Sequence, residues 1–141
     1  MPVHLIKLSV GTRSIDGLSK WQQGARAKGA DGLPRHVTRV RPKRADEVLD
    51  GGSIFWVIKG VVLCRQRVLR LDEVRGQDGI LRCGIVLQSG LIPVLPTPKR
   101  AFQGWRYLSF ADAPADLDPA RLKEKALPPK MSAALAEIGV L

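Results

Sequence analysis

The order of apolar and polar positions divides the chain into short elements of changing type. Residues 3–10 are rich in branched and apolar side chains and stop at Gly11, which predicts a first strand. Ser14 then suits the N-cap of a helix running to about residue 27. Ile15, Leu18, Trp21, Gln22 and Ala25 fall at three- and four-residue spacings and mark one inward stripe. Gly24 weakens this helix, and residues 28–32 read as a loop. Residues 36–40 predict a short strand. Pro42 opens a short helix through Leu49, ended by Asp50-Gly51-Gly52.

The middle of the chain is β-rich. Residues 53–58 are almost wholly apolar, the pattern of a strand covered on both faces. After Gly60, residues 61–74 predict one long, bent strand, with Val62, Cys64, Gln66 and Val68 on one face and Leu63, Arg65, Arg67 and Leu69 on the other. Gly76-Gln77-Asp78-Gly79 turns it into a hairpin partner at 80–87. A strand at 91–95 carries Pro93 and is followed by Pro96 and Pro98, so it belongs at a sheet edge. Residues 102–110 are aromatic and extended. Short helices are expected at 120–127 and 130–138, the second with Met131, Ala134, Leu135 and Ile138 on one apolar face. Together these elements predict a single globular α+β domain over 1–141: a strongly bent, mainly antiparallel sheet, or a small β-barrel, with peripheral helices.

Composition changes this picture in one respect. The 141 residues hold 23 Lys and Arg against 13 Asp and Glu, a net charge of +10. Residues 35–106 alone carry 14 basic and 6 acidic groups, a net +8. A field of that sign speeds encounters with polyanions without choosing among them. No apolar run approaches the roughly 20 residues that span a bilayer. The N-terminal residues lack the pattern of a secretory leader, so a cytoplasmic location is expected. Cys64 and Cys83, each in an apolar strand, are expected to be buried thiols.

Three stretches stand out together: His4-Leu5-Ile6-Lys7-Leu8; the run from Pro42-Lys43-Arg44 through Asp50-Gly51-Gly52-Ser53-Ile54-Phe55-Trp56 to Lys59-Gly60; and Phe102-Gln103-Gly104-Trp105-Arg106-Tyr107-Leu108. They resemble a family of small alphaproteobacterial proteins described as a domain of unknown function, and the similarity spans nearly the whole chain. That resemblance implies no activity and transfers no site residues. A second likeness, at the level of fold, is to the PUA-like barrels, which include RNA-binding and modified-base-binding modules.

Several groups of residues are candidates for chemistry. Arg35, Arg39, Arg41, Lys43 and Arg44 lie in a stretch without acids. On a strand, Arg35, Arg39 and Arg41 would form a guanidinium ladder with a spacing of about 7 Å, close to that of phosphates. Arg65, Arg67 and Arg70, with Lys59 close by, form a second basic group on the long strand. Trp105 and Tyr107, beside Lys99, Arg100 and Arg106, could stack bases while the cations hold the backbone. Trp56, inside an apolar run, reads as core. The Asp50-Gly51-Gly52-Ser53 turn admits an anion nest, but a helix C-cap is the simpler reading.

The expected function is therefore a non-catalytic nucleic-acid-binding module for RNA or single-stranded DNA, RNA ahead of DNA. Two alternatives stay open. One is a small hydrolase or transferase acting on a nucleoside-like or anionic metabolite, with Thr38, Lys43 and Glu47 as acid–base candidates. The other is a scaffold for an acidic protein. No nucleophile elbow, phosphate loop or dinucleotide fingerprint is present. His4, His36, Cys64 and Cys83 lack metal-ligand spacing and both histidines read as structural, so no metal or cofactor is expected.

Overall fold

The computed structural model describes residues 2–24, 28, 29 and 31–117. The helices expected at 120–127 and 130–138 lie outside the described residues. The elements are β1 (His4–Leu8), α1 (Ile15–Gln22), β2 (Arg35–Thr38), α2 (Ala45–Leu49), β3 (Ser53–Ile58), β4 (Val61–Arg75), β5 (Leu81–Leu87), β6 (Ile92–Pro98) and β7 (Trp105–Leu108), with a 3-10 turn at Phe110–Asp112. Ser14 caps α1 as expected, its hydroxyl accepting from the Gly17 N–H at 3.0 Å.

The seven strands form one mixed sheet in the order β2-β5-β4-β3-β1-β7, with β6 also on β4. Only β1 and β3 pair in parallel; every other ladder is antiparallel. All six β3 residues are buried, as its unbroken apolar run requires. The long strand β4 is paired along both edges. Its first half meets β3 on one side and β6 on the other, and its second half meets β5. The prolines of β6 are tolerated because that strand lies off the main path of the sheet.

One residue breaks the alternation of β4. Trp56 pairs with Cys64 and Val57 with Val62, which leaves Leu63 as an extra residue in a bulge. The bulge shifts the pleat, so Val62 faces a cluster with Ile6, Phe55, Val57 and Val94, while Cys64 and Val68 face the opposite core with Leu5, Ile54 and Trp56. The alternation expected from sequence put Val62 with Cys64; the bulge overturns that grouping.

The sheet curls until its two ends approach, but it does not close into a barrel. Among the described residues β2 and β7 share no ladder. The seam is bridged by side chains: the Trp105 indole N–H donates to the Val40 carbonyl at 3.0 Å, and the Arg44 backbone N–H donates to the Tyr107 hydroxyl oxygen at 3.0 Å. The strand ends at Thr38 rather than Val40, and Pro42, with no N–H to offer, could not extend a ladder along β7.

Both helices plug the concave side. Val48 of α2 is fully buried there, and Gly52 lets the chain pass from α2 into β3. A Cβ at Gly52 would collide with the carbonyl oxygens of Val3 and Val48, while the Gly52 N–H donates to the Val48 carbonyl at 2.9 Å. The Gly-Gly turn is thus a helix end under tight packing. From α1, Leu18 and Gln22 point inward, whereas Trp21 is 55% exposed and so leaves the inward stripe expected of it. Gln22 and Gln66 exchange amide bonds at 2.7 Å in both directions. Gln66 also accepts from the Trp56 indole N–H at 3.0 Å and donates to the Gln88 carbonyl at 3.1 Å. A fully buried amide is held without cost only because each of its polar atoms is paired.

Two substitutions test this packing by chemical denaturation. Gly52→Ala should destabilise the fold by about 3 kcal/mol, because the clashing atoms are backbone. Gln66→Leu should cost about 3 kcal/mol by stranding the Trp56 N–H and the Gln22 amide. A wild-type denaturation midpoint for either variant would show that the contact does not constrain the fold.

Candidate ligand cavity and basic rim

β1 and β3 run in parallel and finish together, with the Ser9 N–H donating to the Val57 carbonyl at 2.8 Å. At this end of the sheet a cavity of about 410 Å³ opens between the end of β1, α1 and the concave face. Its aromatic walls are Trp21, His36 and Trp56, with Leu8, Val10 and Leu18 supplying aliphatic surface. The His36 and Trp56 rings meet edge to face, with centroids 5.8 Å apart and planes at 89°. Trp56 is fixed from behind by its bond to Gln66.

Among the described residues Lys7 is the one cation of the lining, and none of the described carboxylates lines this cavity. It sits on the concave face because Val3, Leu5 and Lys7 alternate on one side of β1, and it pairs with Trp56 on one neighbour and Trp105 on the other. Burial pulls its ammonium below the usual lysine range. Among the described residues it makes no ion pair. Burial also pushes the His36 imidazole down to about 4, and the Lys7 charge acts in the same direction. Ser9 and Thr12 add hydroxyls, hydrogen-bonded to each other at the rim.

The basic residues expected from the sequence separate into two sets. Those on the outer face are interleaved with acids. Arg65 is held by Asp116 through two bonds of 2.7 and 2.8 Å and by Ser53 at 2.9 Å. Arg70 bridges Asp31 and Asp72 at 2.6 and 2.7 Å, and Arg35 borders the same shallow cavity. Arg44 is not on that face: at the seam it is paired with Glu47 and lies over the Tyr107 ring, 5.4 Å from its centroid. Arg67 is exposed on β4. The expected guanidinium ladder is not formed, since β2 ends at Thr38; Arg39 and Arg41 lie beyond it, beside Glu73 and Arg82. Eight residues of β4 separate Arg65 from Glu73, about 25 Å at the rise of a strand, so Arg65 and the 39–41 segment do not share a surface.

The second set converges at the cavity end. The Lys59-Gly60 turn, with φ of 51° and 79°, closes the tight β3–β4 hairpin and leaves Lys59 exposed at its tip. The Lys99 N–H donates to the Gly60 carbonyl at 2.8 Å, which sets Lys99 and Arg100 beside that tip. Arg39 and Arg41 do not join this group; they flank Val40, the acceptor for Trp105, on the seam. None of Lys59, Lys99, Arg100, Arg39 or Arg41 makes an ion pair among the described residues.

Strand alternation splits the aromatic motif. Trp105 and Tyr107 face the concave side, their rings edge to face at 5.0 Å, and both brace the 40–44 segment. Arg106 points outward over the Phe102 ring at 5.4 Å. Thr38, Lys43 and Glu47 do not gather: Thr38 pairs with Cys83 in the sheet, Lys43 is exposed, and Glu47 is bound to Arg44. None of the three lines the cavities described here. His4, buried, accepts from the Ser53 N–H at 2.9 Å through Nδ1 and stacks on Phe110. Burial pushes the Cys64 thiol up to about 12, and both cysteines are free. Among the described residues no cluster of three metal-ligating side chains occurs, and no helix is long and apolar enough to cross a membrane.

Sequence reading missed Lys7, Trp21 and His36 as site residues. A signal existed for Lys7: a lysine at the core-facing register of a strand whose other inward residues are Val3 and Leu5.

The fold and site define a small α+β domain on an open, strongly curled mixed sheet, with an aromatic cavity and a basic rim at one end. A family model described as "Protein of unknown function (DUF1489)" matches residues 5–141, and the chain belongs to that family. No curated protein and no solved structure matches it.

The depressed histidine has a measurable consequence. Between pH 6.5 and about 4 the unfolded chain takes up a proton at residue 36 that the folded chain refuses. Stability from this group is complete above pH 6.5 and falls by about 3 kcal/mol as pH drops through that window. His4, also lowered by burial and by Arg65, adds in the same sense. Thermal unfolding of His36→Gln should depend less steeply on pH over this range than wild type. An unchanged slope would mean that His36 titrates normally.

Proposed function

We propose that this protein is a non-catalytic module that binds single-stranded nucleic acid at the cavity end of its sheet, RNA ahead of DNA. The observation that carries the reading is the grouping of Lys59 with Lys99 and Arg100 at the β3–β4 hairpin tip, at the end of the sheet where the cavity walled by Trp21, His36 and Trp56 opens, although none of the three lines it. Cations without acidic partners release counterions when they meet phosphates, and exposed aromatic surface next to them suits unstacked bases. Lys59 adds to this. A left-handed backbone position is normally taken by Gly, Asn or Asp, yet here it holds a long cation at the tip of a hairpin.

Arg65, Arg70 and Arg82 have no part in this reading, because Asp116, Asp31, Asp72 and Asp78 already neutralise them. Fluorescence anisotropy against a mixed-sequence single strand, titrated over a range of salt, separates the two surfaces. Replacing Lys59, Lys99 and Arg100 together with Ala should weaken binding at least tenfold and reduce the salt slope by about 2, at about 0.7 per lost phosphate contact. Arg70→Ala should leave the slope unchanged. Wild-type protein that shows no salt-dependent binding to either RNA or DNA would end the proposal.

A further inference from the structure

The cavity presents a problem that the basic rim does not. Lys7 carries its charge into an aromatic and aliphatic lining, no carboxylate there offsets it, and no ion pair reaches it among the described residues. A half-buried ammonium without a counter-charge is unfavourable, and the sheet nevertheless holds it at an inward register position between Trp56 and Trp105. An anion entering the cavity would supply the missing charge.

The rest of the lining specifies what the anion is attached to. Its volume of about 410 Å³ falls within the range of about 300–1,000 Å³ typical of small-molecule sites. Trp56 and His36 form a rigid right-angled corner, while Trp21, half exposed from α1, stands where it can cover a flat ligand. His36 is uncharged at neutral pH, so it presents a polar ring edge and does not compete with Lys7 for the anion. Flat apolar walls with one cation and hydroxyls at the rim match a planar ring bearing one anionic group.

We propose that this cavity is a binding site for a planar heteroaromatic ring carrying an anionic substituent, with Lys7 as the charge partner and Trp21, His36 and Trp56 as the walls. The proposal deepens the nucleic-acid reading but does not need it. The same chemistry is offered by a free mononucleotide and by one residue of a bound strand.

The three indole N–H resonances provide the readout in a proton–nitrogen correlation spectrum. Trp21 and Trp56 line the cavity, while the Trp105 indole is engaged at the seam by Val40. Uridine monophosphate and adenosine monophosphate should shift the Trp21 and Trp56 signals at micromolar to millimolar concentration. Uridine and inorganic phosphate, each offering half of the chemistry, should bind at least tenfold more weakly. Lys7→Met keeps the length and apolar stem of the side chain. It should abolish the preference for the monophosphate over the nucleoside and should melt no lower than wild type, since an unpaired charge has been removed.

Shifts from the mononucleotide identify a free ligand. Shifts seen only with an oligonucleotide identify a residue of the strand, and both results support the site. The triple Ala variant of Lys59, Lys99 and Arg100 keeps the two proposals apart: mononucleotide binding should survive in it even where strand binding is lost. If neither probe moves the Trp21 and Trp56 resonances, or if Lys7→Met binds the monophosphate as tightly as wild type, the assignment of the cavity is overturned.

Discussion

Strand β4 must satisfy its backbone along both edges with three different partners, and the curl of the whole sheet follows from that requirement. Over its first half it is sandwiched between β3 and β6; over its second it continues with β5, which hands over to β6 along the chain. A flat strand of 15 residues would carry β5 and β2 far from β1. The extra residues at the Leu63 bulge and near Leu69 instead increase its twist, and β2 arrives over the concave face with His36 against Trp56. The cavity exists because of that bend, since its walls come from both ends of the strand order.

What keeps the bend in place is polar. Gln66 projects from β4 into the core and ties α1, Trp56 and the backbone at Gln88 into one network. In an apolar interior each of these bonds is strengthened by the low local dielectric, and none has a solvent alternative. The same side chain thereby orients a wall of the cavity and seats the helix that carries Trp21. Stability and site geometry are therefore coupled through a single amide.

Charge is organised by the same topology. Arg65 and Arg70 of β4 and Arg82 of β5 lie next to aspartates and are locally neutral. Exposed pairs of this kind contribute little to stability, on the order of 0–1 kcal/mol each, and their main effect is to remove those arginines from competition for anions. Among the described residues Lys59, Lys99 and Arg100 make no ion pair, and the Lys99 N–H bond to the Gly60 carbonyl brings them to the β3–β4 hairpin tip.

Much of the local structure was legible in the chain. The solid apolar run of β3, the Ser14 cap, the Gly76–Gly79 turn and the prolines of β6 each act through contacts a few residues long, and their elements appear within a few residues of where periodicity places them. The family was legible too, from three motifs spread along the chain. The bulge at Leu63, the parallel pairing of β1 with β3 and the open seam at Pro42 were not, because each depends on which distant strand supplies the partner hydrogen bonds. The site divided in the same way. Composition and alternation determined that the protein is basic and that Trp56 is core; only the folded sheet placed Lys7 in the cavity and decided which cations meet an aspartate, because electrostatic pairing depends on distance in space, and strand register sets that distance.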